Sequence, residues 1–131
     1  MLKIFKTKQR MLVTAALMTG LLGTGTVNAN IDSIHFLIPG GAGGGWDGTA
    51  RGTGEALTNA GLINNASYEN MSGGGGGKAI AHLIETADQA QGTLMVNSTP
   101  IVIRSLSKVF PQSFRDLTPI AATIGDFGAF V

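Results

Sequence analysis

Short apolar runs alternate with amphipathic stretches along this chain, and the alternation predicts its elements. Ser33-Ile34-His35-Phe36-Leu37-Ile38 is nearly continuous in apolar residues, the pattern of a strand covered on both faces. Pro39, which cannot donate to a ladder, ends it. A helix is expected over about residues 47–60, with Ala50, Leu57 and Ala60 on one face and Gly61 as its stop. Gly48, Gly52 and Gly54 weaken that helix by roughly 1 kcal/mol each, but they permit close packing on a sheet. Residues 66–70 form a second, more polar strand, expected nearer an edge. A stronger helix is expected over residues 78–87, where Ala79, Ile80, Leu83, Ile84 and Ala87 recur at helical spacing. Residues 93–97 read as a third strand. Pro100 suits a first helical position and opens a third helix over residues 101–109, which Phe110-Pro111 ends. A turn over residues 116–119 precedes an apolar segment from Ile120, expected to begin a fourth strand.

Strand and helix in alternation imply an α/β fold with a parallel sheet and right-handed crossovers. Ligands in such sheets bind beyond the carboxyl ends of the strands. Two glycine-rich loops fall there: Pro39-Gly40-Gly41-Ala42-Gly43-Gly44-Gly45-Trp46-Asp47 and Ser72-Gly73-Gly74-Gly75-Gly76-Gly77-Lys78. Each precedes a predicted helix, whose first backbone N–H groups lack intrahelical partners and carry the positive end of the helix dipole. Such a place binds anions. The expectation is a small-carboxylate site drawing on Gly43, Gly44, Gly45, Trp46 and Asp47 from the first loop. Gly74, Gly75 and Gly76 would come from the second loop, and Ser98 and Thr99 from the end of the third strand. Trp46, the only tryptophan, is expected to form a wall for the ligand, with a core role as the alternative. Asp47 is expected to cap the first helix. Arg51 could pair with an acid or reach the ligand.

Charge bears on where the chain goes. Four of the nine basic residues lie in the first ten positions, ahead of an apolar stretch over residues 11–22 and a small-residue cleavage site at Val27-Asn28-Ala29. That order marks a secretory signal peptide over residues 1–29 and suits the bacterial periplasm. An uncleaved anchor is the alternative, although the apolar stretch falls short of the roughly 20 residues of a membrane span. The remainder carries five basic against eight acidic residues, a formal charge of −3, and so offers no basic surface for nucleic acid. The chain has no cysteine, so no disulfide staples it. Gly128-Ala129-Phe130-Val131 reads as the opening of a strand, which suggests a fragment of a longer protein.

Two nucleotide motifs are approached and missed. Gly43-x-Gly45-x-x-Gly48 with Glu69 matches the dinucleotide fingerprint formally, and a nucleotide-dependent oxidoreductase is the alternative function it suggests. Against it, four residues separate the motif from its strand and Trp46 crowds the place a pyrophosphate needs. Gly77-Lys78 resembles a P-loop, but Ser72 and Ala79 stand where that motif requires glycine and Ser or Thr. His35 and His82 have no neighbours at metal-ligand spacing and read as structural. No cofactor, metal site or catalytic constellation is expected.

Ile38-Pro39 through Gly43-Gly44-Gly45-Trp46-Asp47-Gly48-Thr49-Ala50-Arg51, followed by Tyr68-Glu69-Asn70-Met71-Ser72-Gly73, resembles the substrate-binding proteins of tripartite tricarboxylate transporters, the Bug family. Leu117-Thr118-Pro119-Ile120-Ala121 resembles its citrate or tricarboxylate branch. The resemblance implies one parallel-sheet lobe of a type II periplasmic binding protein, the second lobe lying outside this chain. It also implies a monomeric, non-enzymatic receptor that clamps an organic acid and passes it to a membrane permease. A sensor reporting to a membrane kinase would look the same in sequence. The second loop departs from the family by its unbroken glycines and by the lack of an arginine-proline opening.

Overall fold

The computed structural model describes residues 31–125. The signal peptide expected over residues 1–29 and the strand-like ending at residues 128–131 lie outside them. Three parallel strands form one sheet: β1 (Ile31–Ile38), β2 (Ile63–Asn70) and β3 (Thr93–Met95), in the order β2-β1-β3. Three helices, α1 (Gly45–Asn59), α2 (Gly77–Glu85) and α3 (Thr99–Leu106), follow the strands in turn. The chain is thus a small α/β domain with a parallel sheet and alternating strands and helices.

The apolar run of β1 takes the central place it predicts. Phe36, Leu37 and Ile38 are fully buried, each contributing about 1.5–3 kcal/mol by leaving water. Ile34, Phe36 and Ile38 point to the α1 side and pack with Ala50 and Ile63. Leu37 faces the other way, beside its register partner Met95, which packs against the cluster of Ile80 from α2, Ile101 from α3 and Phe110 beyond α3. Helices therefore cover both faces, as a central parallel strand requires. β2 is the polar edge strand its composition suggests, but it starts earlier than expected, because Ile63 pairs with Ile31 and is buried.

Gly54 explains how a glycine-rich helix packs here. A Cβ at that position would collide with the Tyr68 hydroxyl and lie 2.9 Å from Ala66 Cβ. The missing side chain lets α1 settle onto β2, where the Tyr68 ring stacks on Phe36 at 5.5 Å between centroids. Arg51 covers the same Tyr68 ring at 4.8 Å. Helix bounds shift by a residue or more from expectation: α1 and α2 start inside the glycine loops, and α3 starts at Thr99 ahead of Pro100. The fourth strand expected from Ile120 is not formed over residues 120–125, which are exposed and carry no strand pairing.

Candidate functional site

The carboxyl ends of β1 and β3 bring the first glycine loop against the segment that opens α3. After buried Pro39 the chain turns through Gly43, whose φ of +80° suits glycine. It becomes extended at Gly44 and enters α1 at Gly45. Gly44, not Asp47, is the N-cap residue, so the capping role expected of Asp47 is corrected. Asp47 is the third residue of the helix, and its carboxylate reaches back to accept the Gly43 N–H at 2.9 Å.

That carboxylate is the anchor of the loop. It is 4 % exposed. It accepts from Arg51 Nε at 3.0 and 3.1 Å and from Asn70 Nδ2 at 3.1 Å. The Arg51 guanidinium first, then the Gly43 amide and Asn70, hold its pKa at about 2, well below the usual carboxylate range. The same Asn70 nitrogen donates to the Gly40 carbonyl at 3.1 Å. One side chain at the end of β2 thus fixes both limbs of the loop. Arg51 is committed to Asp47 and to the Tyr68 ring, and not to the cleft.

An open cleft of about 280 Å³ lies in front of this anchor, lined by Gly40, Gly41, Gly44, Gly45, Trp46, Ser98 and Pro100. Trp46 is half-buried, lines the cleft and packs against both apolar clusters. Its indole Nε1 donates to Ser98 Oγ at 2.8 Å, which joins the first loop to the start of α3. Since Ser98 Oγ accepts that bond, its own hydrogen remains available to donate. The amides of Gly45 and Trp46, in the first turn of α1, have no hydrogen-bond partner among the described residues. The wall therefore combines neutral donors with an aromatic surface and carries no titratable side chain. It can bind and orient an acceptor, and it offers no general acid or base.

The second loop behaves differently from the first. The Gly76 and Lys78 amides donate to the Gly73 carbonyl at 3.0 and 3.4 Å, and the Gly77 amide donates to Gly74. Arg104 Nη1 donates to the Gly75 carbonyl at 3.2 Å. Gly76 is buried, in a space where a Cβ would strike Ile101 and lie 3.6 Å from Pro39. The expected residues accordingly divide. Gly44, Gly45, Trp46 and Ser98 meet in the cleft wall, with Gly43 and Asp47 bracing it from behind. Thr99 is exposed next to Ser98 but outside the wall. Gly74, Gly75 and Gly76 are not in it, and the second loop spends three of its amides on itself.

Sequence spacing does not point to Asn70 or Arg104 as residues that hold the two glycine loops, nor to Pro100 as part of the cleft wall. An asparagine that ends a strand beside a glycine loop was the available signal for Asn70. A further cluster sits on the sheet itself, where His35 Nδ1 lies 2.8 Å from Ser67 Oγ and His35 Nε2 lies 3.4 Å from Glu69 Oε2. Cross-strand register creates this contact, so sequence spacing conceals it. Among the described residues no three His, Cys, Asp or Glu side chains gather to hold a metal ion, and no helix is long and apolar enough to cross a membrane. In comparisons with known proteins, no family model, curated protein or solved structure matches the chain.

Proposed function

We propose that the chain is the carboxylate-holding part of a periplasmic solute-binding protein, exported by its N-terminal segment, that delivers a small organic acid to a tripartite tricarboxylate permease. The parallel sheet is then one lobe of a type II binding protein, and a second lobe would close over the cleft. The observation that carries the reading is the meeting of the free Gly45 and Trp46 amides with the Ser98 hydroxyl around one open cleft at the sheet's carboxyl edge. A carboxylate seated there would accept bonds from these donors, with Ser98 tied to the Trp46 indole. The α1 dipole adds to their pull. Charge-assisted bonds of this kind are worth about 1.5–3 kcal/mol each. The second loop serves in this reading as a shoulder that positions α2, with Asp47, Asn70 and Arg51 keeping the first loop in shape.

Gly45→Pro tests it. Proline is well tolerated at the first helical position, and the extended backbone of Gly44 suits the residue before a proline. A Cβ at Gly45 meets nothing within 4 Å. The variant therefore removes one cleft donor and keeps the fold, which circular dichroism verifies. Calorimetry against a panel of organic acids should show affinity about tenfold lower or worse than the parent chain. Equal affinity in both overturns the reading. Stabilisation by a nicotinamide dinucleotide and by none of the acids would transfer it to the oxidoreductase alternative.

A further inference from the structure

The sheet carries a second chemical cluster away from the cleft, on the face opposite α1. Ile34, Phe36 and Ile38 point to α1, so His35 between them points the other way. Its register partner on β2 is Ser67, and Glu69 follows two residues later on the same face. A hydroxyl, an imidazole and a carboxylate therefore meet side by side. Ser67 Oγ lies 2.8 Å from His35 Nδ1, and Glu69 Oε2 lies 3.4 Å from His35 Nε2. Solutes can reach all three: His35 is 37 % exposed, Glu69 is 48 % exposed, and Ser67 is exposed.

We propose that Ser67 is a nucleophile, His35 its general base and Glu69 the residue that positions the imidazole, and that together they hydrolyse small activated esters. The order of groups carries the assignment. A carboxylate only accepts hydrogen bonds, so Glu69 beside Nε2 favours the tautomer with its hydrogen on Nε2. Nδ1 is then the lone-pair nitrogen, and the Ser67 hydroxyl donates to it. A nucleophile held against a base, with the base oriented by a third group, is the arrangement that activates a serine. In the first half of the reaction Ser67 Oγ bonds to the ester carbonyl carbon and its proton passes to His35 Nδ1. The carbon–oxygen bond to the leaving group breaks, and the alkoxide or phenolate departs with the electron pair and takes up that proton. In the second half water attacks the acyl carbon and gives a proton to Nδ1, and Ser67 Oγ leaves and recovers it. The sum is ester plus water to acid plus alcohol. Water solvates the carbonyl oxygen at this open face, so the site suits esters whose leaving group departs easily.

The probe is p-nitrophenyl acetate, applied to the purified chain and to Ser67→Ala, His35→Gln and Glu69→Gln. Exposed positions tolerate such changes, and circular dichroism verifies the fold. Peptide mass spectrometry after an acid quench should find acetyl on Ser67, and His35→Gln should slow that acylation about tenfold or more. Acetyl confined to lysines and the N-terminus, or Ser67 acylation as fast in His35→Gln as in the parent, overturns the proposal. Repeated release of p-nitrophenolate should be lost in Ser67→Ala, and equal release there overturns it as well. Nitrogen NMR of the neutral His35 ring gives a readout independent of rate. Hydrogen on Nε2 is expected in the parent, with a shift toward the Nδ1–H tautomer in Glu69→Gln. Hydrogen on Nδ1 in the parent would make His35 the donor to Ser67 and overturn the assignment.

Discussion

Asn70 and Asp47 are joined at 3.1 Å, amide nitrogen to carboxylate oxygen, across the gap between the end of β2 and the first turn of α1. The same nitrogen holds the Gly40 carbonyl, so the bond ties the edge strand to both limbs of the cleft loop. Asn70→Ala should lower stability by about 1–3 kcal/mol, because it leaves two part-buried acceptors short of a donor. Asn70→Asp should cost more at neutral pH, since it sets one carboxylate against another. Urea denaturation of the three proteins gives the ranking. An alanine variant as stable as the parent would show that the bond does not hold the loop.

The packing of α1 on β2 gives a paired prediction in which one substitution has opposite signs. Gly54→Ala forces a methyl group against the Tyr68 hydroxyl and Ala66, an overpacking worth about 1–3 kcal/mol. Gly52→Ala, two residues earlier on the exposed side, meets nothing within 4 Å. There the helix preference of alanine should stabilise the protein by up to about 1 kcal/mol. Thermal melts separate the two, and a fall in Tm for both would contradict the assigned helix orientation.

Asp47 makes the fold sensitive to acid. Its carboxyl titrates near pH 2 in the folded protein and near its ordinary 3.8 in the unfolded chain. Between those values the unfolded chain binds the extra proton, so the stability Asp47 contributes is complete above about pH 4 and drains as pH falls toward 2. Asp47→Asn should be less stable at neutral pH and show a flatter stability profile between pH 4 and 2. Denaturant unfolding at a series of pH values checks the slope, and parallel profiles for the two proteins would count against the network around Asp47.

Arg104 offers a control on the division between the two glycine loops. Arg104→Met retains the apolar stem and deletes the donor to the Gly75 carbonyl. Stability should fall by no more than about 1 kcal/mol, the worth of one exposed hydrogen bond. Acid affinity measured by calorimetry should stay the same, because the second loop does not line the cleft. A tenfold loss of affinity would return the second loop to the site.

Much of the architecture is legible in the sequence. The unbroken apolar run of β1 dictates a strand buried on both sides. The glycine and proline breaks separate each strand from its helix. Local pattern could not say which amides remain free. Both loops look like open rows of donors, yet in the second the left-handed turns bend carbonyls of Gly73 and Gly74 back onto the amides that follow. The roles of Asn70 and Arg104 were hidden for a related reason. Each reaches a loop about thirty residues away, a distance in sequence that only the sheet order and helix placement close. Residues 120–125 misled because apolar content suggests a strand but cannot supply a neighbour to pair with.

Gly73, Gly74, Gly75 and Gly76 turn one after another in the mirror-image half of conformational space, at φ of +141°, +56°, +63° and +100°. Any single-base change in a glycine codon that gives another amino acid installs an L side chain, and here each would be set in a backbone of the wrong hand. Purifying selection on this stretch would therefore act through handedness, and at Gly76 also through the lack of room beside Ile101, with or without a ligand. Invariance of these four glycines among descendants of this gene would be a record of chirality, and binding would have to be sought in the drift or constancy of Trp46 and Ser98.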